Sequence, residues 1–332
     1  MARDWGAYSA SRRSVCLAST GVLIAPLVLA ACARPTVHRI GWLSGQDPPT
    51  DAEIQKDWAP LRQLGWIEGR NIVVERRFAS ADEDEPFTAA AQELVRMKVE
   101  LIVADGTPAI IAAKEATTTI PIVMTGAGDP VGTGLIDSLA HPGGNVTGYS
   151  AAFSETSVKR AALLKELLPS LKRVAFIFVP RNPVTRVAGE HAQAAYSALG
   201  VDAIMIDPYF LDVEEIFTEA LRWGAQAVDV FRLDPEEASA FMKVAMRYRL
   251  PVISGGREVL EAGGLASFDV DWEEGPQRVA VIIDKILRGA KPEDIPVEEP
   301  TRFKLIVNLK AAKALDITVP QSVLLRADEA IR

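Results

Sequence analysis

The sequence predicts an α/β protein built as two Rossmann-like parallel-sheet lobes joined by a multi-strand hinge. Three observations predict it: short apolar runs alternate with amphipathic stretches, the alternation occurs twice, and a last helix and strand must return to cover a sheet already formed.

Ile40-Gly41-Trp42-Leu43, Ile72-Val73-Val74, Leu101-Ile102-Val103-Ala104 and Pro121-Ile122-Val123-Met124 are apolar without alternation. Strands of that kind are buried on both faces, as in a parallel sheet covered by helices. Between them Phe87, Ala90, Ala91, Leu94 and Val95 fall on one stripe of a helix. The second series opens at Arg173-Val174-Ala175-Phe176-Ile177-Phe178-Val179. A helix with Ala188, Ala192, Ala195 and Leu199 on one face follows, ending at Leu199-Gly200 as an earlier one ends at Leu64-Gly65. Ala203-Ile204-Met205-Ile206 is the next strand; Ala227 to Phe231 then matches Leu101 to Asp105, and Pro251-Val252-Ile253 matches Pro121-Ile122-Val123. The offset, about 130 residues, is far too long for a solenoid repeat and marks two similar lobes. Val279, Ile282, Ile283, Ile286 and Leu287 make another amphipathic helix, stopped by Gly289 and Pro292, before the strand Phe303 to Val307. The chain is expected to cross between lobes near Tyr149 to Phe153, Phe268 to Trp272 and Pro296 to Thr301. The lobes are then residues 38–150 plus 270–297, and 151–269 plus 298–332. Linkers shared in this way make a hinge that a ligand can close.

Ahead of the first lobe, Arg12 and Arg13 precede an uncharged stretch from Ser14 to Ala33, a basic n-region and an apolar h-region; residues 1–31 are read as a signal peptide. The run is long enough to span a bilayer, but its Ser, Thr, Gly and Pro content makes it a poor membrane helix. Leu29-Ala30-Ala31-Cys32 resembles the lipobox of bacterial lipoproteins. Cleavage there leaves a lipidated Cys32 as the new N-terminus, anchored to the membrane outside the cytoplasm. Ser11-Arg12-Arg13 also fits part of a twin-arginine signal.

With 36 basic against 44 acidic side chains and a net charge of −8, and no clustered Lys/Arg stretch, nucleic acid is an unsuitable partner. The two cysteines, Cys16 and Cys32, leave no disulfide or thiolate metal site downstream. His38, His141 and His191 have no metal-ligand spacing, and no hydrolase elbow, Walker loop or His-Glu-x-x-His helix occurs. Gly126 to Gly132 is a near miss for a dinucleotide loop: its spacing is wrong and Asp129 would face a pyrophosphate. No metal and no cofactor is expected.

Polar and glycine residues gather instead at the carboxyl ends of the strands, where open α/β sheets bind ligands. They include Ser44, Asp105-Gly106-Thr107, Gly128-Asp129, Arg181-Asn182, Leu233-Asp234 and Ser254 to Gly256. Thr107 before Pro108 suits an N-cap with proline at N1. Arg181 and Arg232 are placed to hold a carboxylate. Trp42, Phe231, Phe268 and Trp272 are candidates for an aromatic wall. The ligand-binding set expected from these features is Ser44, Gly106, Thr107, Asp129, Arg181, Asn182, Arg232, Asp234, Phe268 and Asp269.

Ala104-Asp105-Gly106-Thr107-Pro108-Ala109, Asp129-Pro130-Val131 with Gly134 to Leu139, and Pro142 to Gly148 together resemble the ABC-transporter substrate-binding proteins of the family that includes tryptophan- and tyrosine-binding lipoproteins. Ala262 to Leu265, Lys285 to Pro292, Val307 to Lys313 and Arg326 to Glu329 extend the resemblance to most of the chain from His38 on. It implies a type I periplasmic-binding fold and a non-enzymatic, monomeric lipoprotein. Such a receptor delivers a small organic solute, an amino acid or an aromatic carboxylate, to a permease with its ATPase. Asp316 stands where the family usually has glycine, and Phe268-Asp269 replaces the more usual Tyr-Gly pair, so fold transfers more readily than ligand. The alternatives are a sensory receptor signalling to a membrane partner without transport and an extracytoplasmic enzyme using Asp105, Asp129 or Asp234. A cytoplasmic repressor of the same fold is disfavoured by the export segment.

Overall fold

A computed structural model describes residues 37–45, 48–79, 84–179 and 183–332. The expected signal segment with Cys32, and the pair Arg181 and Asn182, lie outside the described residues. Two sheets organise the chain. The first contains β1 (His38–Ser44), β2 (Ile72–Phe78), β3 (Leu101–Asp105), β4 (Ile122–Ala127) and β5 (Val146–Ser150), in the order β2-β1-β3-β4-β5 and parallel throughout. Its helices are α1 (Asp51–Asp57), α2 (Ala59–Gln63), α3 (Asp84–Arg96) and α4 (Thr107–Ala116). The stripe expected from the sequence lies on α3, where Phe87, Ala91 and Leu94 bury against Leu43, Ile102 and Met124.

The second sheet carries β6 (Arg173–Ile177), β7 (Asp202–Ile206), β8 (Ala227–Val230), β9 (Val252–Ser254), β10 (Ala266–Val270), β11 (Phe303–Asn308) and β12 (Glu329–Ile331), in the order β12-β11-β10-β9-β8-β6-β7. Helices α5 (Phe153–Leu167) and α6 (Pro183–Ala198) pack on one face, where Leu164 and Tyr196 meet Phe176 and Ile253. On the other, α7 (Val213–Trp223) and α8 (Pro235–Arg247) set Phe217 and Phe241 against Ile177 and Val252. The short α9 (Arg257–Glu261) follows β9, and α11 (Leu309–Ala314) and α12 (Gln321–Arg326) finish the layer. Helix α10 (Gly275–Leu287) lies on the first sheet: Ile282, Ile283 and Ile286 bury with Ile40, Leu101 and Val103.

Two strands depart from the parallel pattern. β11 runs antiparallel to β10, and β12 parallel to β11. The topology demands this: β10 leaves the second lobe toward the first, and β11 re-enters through the same opening, so it must run the other way.

The chain thus passes between the lobes three times, after β5, after β10 and before β11. One carboxylate ties all three passages. Glu274 Oε1 accepts from the Tyr149 hydroxyl at 3.4 Å and from the Thr301 amide at 2.6 Å, and Oε2 accepts from the Thr301 hydroxyl at 3.0 Å. Burial pushes the Glu274 carboxyl up, but the Thr301 bonds, the Arg302 amide and the Arg278 charge outweigh it and hold the group below its ordinary range. The third passage also pairs with β5, Glu298 N donating to Gly148 O at 2.9 Å and Ser150 N to Glu298 O at 2.9 Å.

Candidate functional site

The carboxyl ends of both sheets converge on these passages. In the first lobe Ser44, Asp105 and Thr125 lie side by side in register at the ends of β1, β3 and β4. Ser44 Oγ donates to Asp105 Oδ2 at 3.2 Å, and Thr125 Oγ1 donates to Asp105 Oδ1 at 3.3 Å. Burial pushes the Asp105 carboxyl up; the two hydroxyls oppose the shift and the charge of Asp57 adds to it. Next in the chain, Gly106 is the N-cap of α4 and brings no side-chain acceptor. Thr107 is therefore the first helical residue rather than the cap, because the non-helical backbone, φ 80°, falls on glycine. Its hydroxyl is sealed from solvent without a hydrogen-bond partner among the described residues.

In the second lobe Arg232 Nη1 donates to Asp269 Oδ2 at 3.1 Å, and Trp272 Nε1 donates to the same oxygen at 3.3 Å. The guanidinium carbon lies 5.6 Å from the indole centroid, within cation–π range. Burial pushes the Asp269 carboxyl up against the pull of Arg232. Phe153, first in α5, meets Phe231 edge-on at 5.0 Å and Trp272 at 6.1 Å. Beside them opens a cavity of about 650 Å³, lined among others by Lys56, Asp57, Arg232, Asp269, Trp272 and Lys304. That volume suits a small organic ligand, for which pockets run to roughly 300–1,000 Å³. A second hollow of about 730 Å³, bounded by Ile204, Leu211, Glu215 and Trp223, lies on the outer edge of the second sheet, where no passage reaches it.

The expected residues are thus divided. Ser44, Gly106 and Thr107 gather at the first-lobe strand ends, and Arg232 and Asp269 at the second. Asp129 belongs to a turn that touches the other lobe: Oδ1 accepts from Gly132 N at 2.8 Å, and Oδ2 from Ser154 Oγ of α5 at 3.1 Å. Asp234 caps α8, accepting from Glu237 N at 2.8 Å in a capping box. Phe268 lies on the face of β10 opposite Ser267 and Asp269, stacked on Phe303 at 5.7 Å; strand alternation makes that unavoidable once Asp269 faces the cavity. Sequence reasoning missed the buried group beneath the site, Arg160 with Asp229, Tyr196 and Ser157. Its signal was a single Asp inside the apolar run Ala227-Val228-Asp229-Val230.

Gly128 is where the lobes approach closely. A Cβ there would come 1.9 Å from Val184 Cγ1 and 2.8 Å from the Phe153 ring. Gly128→Val should therefore leave each lobe folded but wedge them apart. The expected result is a ligand affinity lowered by at least about tenfold, measured by calorimetry, with little loss of melting temperature.

Among the described residues no cluster could hold a metal ion, and no helix is long and apolar enough to cross a membrane.

Two separate parallel-sheet lobes, three shared passages and a cavity beside them define the type I periplasmic-binding class, and structures of this class match the fold. The chain belongs to the family described as ABC transporter substrate binding protein, whose family model matches residues 54–331. It is 30% identical over 265 residues to the tyrosine-binding protein of Clostridioides difficile strain R20291, covering 77% of this chain and 74% of that one. A Streptococcus pneumonia ABC domain in complex with L-Trp is similar at TM-score 0.77 and 25% identity, covering 89% of this chain and all of that one. A ligand-free, open substrate-binding protein with adhesive properties from Clostridium difficile matches at TM-score 0.67 and 25% identity, over 89% of this chain and 99% of that one. The protein is accordingly a substrate-binding protein of an ABC transporter, in a family of binding proteins rather than enzymes, and such proteins work outside the cytoplasm.

Proposed function

We propose that this protein is the lipid-anchored, monomeric receptor of an ABC importer, closing residues 38–150 plus 270–297 against 151–269 plus 298–332 on a small organic solute and delivering it to a permease. Residues 1–31 direct export and Cys32 carries the anchor. The solute lies against Ser44, Asp105 and Gly106 of the first lobe, Arg232 and Asp269 of the second, and Trp272 on the passage after β10. Arg181 and Asn182 keep their place in the set on sequence grounds. No chemistry is performed: affinity comes from burial between the lobes and a few oriented hydrogen bonds, and closure follows from the ligand's preference for the closed state. The observation that carries this proposal is a cavity of ligand size lined from both lobes, by Lys56 and Asp57 of the first and by Arg232 and Asp269 of the second.

A thermal-shift screen with amino acids and aromatic acids tests it. A solute at about 100 times its Kd stabilises the folded state by ~2.7 kcal/mol, which should raise Tm by several degrees. If no such solute moves the melting transition of folded protein, the proposal fails.

A further inference from the structure

We propose that the end of the first lobe opposite its polar strand ends is a docking face for an anionic phospholipid surface, which holds the anchored receptor upright on its membrane. This rests on the lipid anchor of the receptor proposal above and goes beyond it.

Parallel strands all start at one end of their sheet. His38 is level with Ile72, Ile40 with Leu101, Ile102 with Ile122, and Ile122 with Val146. The segments leading into β2, β1 and β3 therefore meet there, and α2, α3 and α10 run back to finish at the same end. Contacts tie these segments together. Trp66 meets the His38 ring edge-on at 5.1 Å, and its Nε1 donates to Asp284 Oδ1 of α10 at 2.8 Å. Glu100 N donates to Arg39 O at 2.7 Å.

This end is a positive pole. Arg62 and Arg96 lie in the last turns of α2 and α3, and Arg70 and Lys98 in the segments entering β2 and β3. All four are exposed, and among the described residues none forms an ion pair. The nearby acids are spent within the protein: Glu68 pairs with Arg76 at 2.7 Å, Asp284 with Arg288 at 2.8 Å, and Glu100 lies 2.7 Å from the His38 ring. Exposed acids without a cation, such as Glu115 at the end of α4 and Asp294 in the turn packed on β5, stand toward the other side of the sheet. In a chain of net charge −8 such a pole needs a partner of opposite sign. Val37 and Leu64 are exposed beside it, and apolar side chains flanked by Arg and Lys suit the boundary between headgroups and acyl chains.

The chain itself decides what meets the pole. Five peptide bonds separate Cys32 from Val37, and an extended chain spans at most about 3.6 Å per residue, so a lipid on Cys32 keeps the start of β1 within roughly 18 Å of the bilayer. The tether adds Arg34 and no acid. Ser44, at the other end of β1, stays one strand length, about 20 Å, further out. An anionic leaflet attracts cations held within a Debye length of it, and a zwitterionic one does not. The lipid on Cys32 secures attachment; the pole fixes orientation.

The test uses the mature lipoprotein purified from membranes, its N-terminal acylation checked by mass spectrometry, reconstituted into vesicles of phosphatidylcholine or of phosphatidylcholine with phosphatidylglycerol. Amide hydrogen exchange is followed in segments 64–71 and 96–100, with 207–212 of the second lobe as reference. With phosphatidylglycerol present, exchange at the pole should slow by at least about fivefold, the worth of one basic side chain near an anionic surface, while the reference is unchanged. High salt should remove the protection. So should the variant Arg62→Gln/Arg70→Gln/Arg96→Gln/Lys98→Asn, with Tm unchanged; asparagine tolerates the left-handed backbone at position 98, φ 54°. The proposal is overturned if the pole exchanges equally in the two vesicles, if its protection survives high salt, or if the folded variant keeps it. The salt comparison uses wild type alone and stands even where the variant fails to fold. Each of these results leaves solute binding untouched. If Cys32 carries no lipid, the anchoring part of the receptor proposal fails and takes this one with it, while the solute screen still decides the rest.

Discussion

Arg160→Met should cost roughly 3–5 kcal/mol of stability, the usual penalty for stranding one partner of a buried ion pair. Arg160 is 1% exposed and Asp229 is fully buried. Arg160 Nε donates to Asp229 Oδ1 at 3.0 Å and Nη2 to Ser157 Oγ at 3.2 Å, while the Tyr196 hydroxyl donates to Asp229 Oδ2 at 2.9 Å. Burial pushes the Asp229 carboxyl up more than Arg160 and Tyr196 hold it down, so removing the guanidinium leaves a carboxylate with one neutral donor in an apolar layer. Arg160→Met/Asp229→Asn should recover much of the loss, since no net charge is then buried. Chemical denaturation distinguishes the cases: a single variant within about 1 kcal/mol of wild type would mean that water reaches the pair. The same ion pair joins α5, whose first turn touches the opposite lobe, to β8 in the middle of the second sheet. A loss of stability here should therefore also loosen the hinge.

Gly148→Ala is expected to be comparably severe, for a different reason. Gly148 has φ 144°, and a Cβ on it would lie 2.2 Å from Met124 O and 2.6 Å from Met124 N. Both are backbone atoms of the neighbouring strand and cannot rotate away. Strain and overpacking, each costing about 1–3 kcal/mol, add to a predicted loss of roughly 2–6 kcal/mol. Gly144→Ala serves as the control, because nothing lies within 4 Å of its Cβ position. If the two variants show equal melting temperatures, β4 and β5 are not held as tightly as their geometry requires. Gly148 O also receives the third passage through Glu298, so any Gly148→Ala protein that folds should bind solute more weakly.

Much of this architecture was legible because buried parallel strands have so restricted a vocabulary. Runs such as Leu101 to Ala104 permit no solvent face, and the duplicated order of strand and helix left two lobes as the economical arrangement. The antiparallel β11 was not legible, since Phe303 to Val307 reads the same in either direction. The site was read only in part. Strand-end position put Ser44, Gly106, Arg232 and Asp269 forward, but it does not distinguish a side chain offered to a ligand from one spent on its own helix, as Asp234 is. Phe268 was chosen for its type and placement near a crossing; its face was fixed by the parity of β10, which a list of residue types ignores. Arg160 escaped because a lone arginine on an amphipathic helix is ordinarily a surface charge, and only the third dimension pairs it with Asp229.

The bonding of Tyr149, Glu274 and Thr301 has a topological outcome. A protease that nicked any single inter-lobe strand would leave two covalent tethers intact, with their alignment still pinned by what remains around one carboxylate. Such a molecule should run as two fragments in denaturing gels yet travel as one particle in solution, which suits a receptor working outside the cytoplasm.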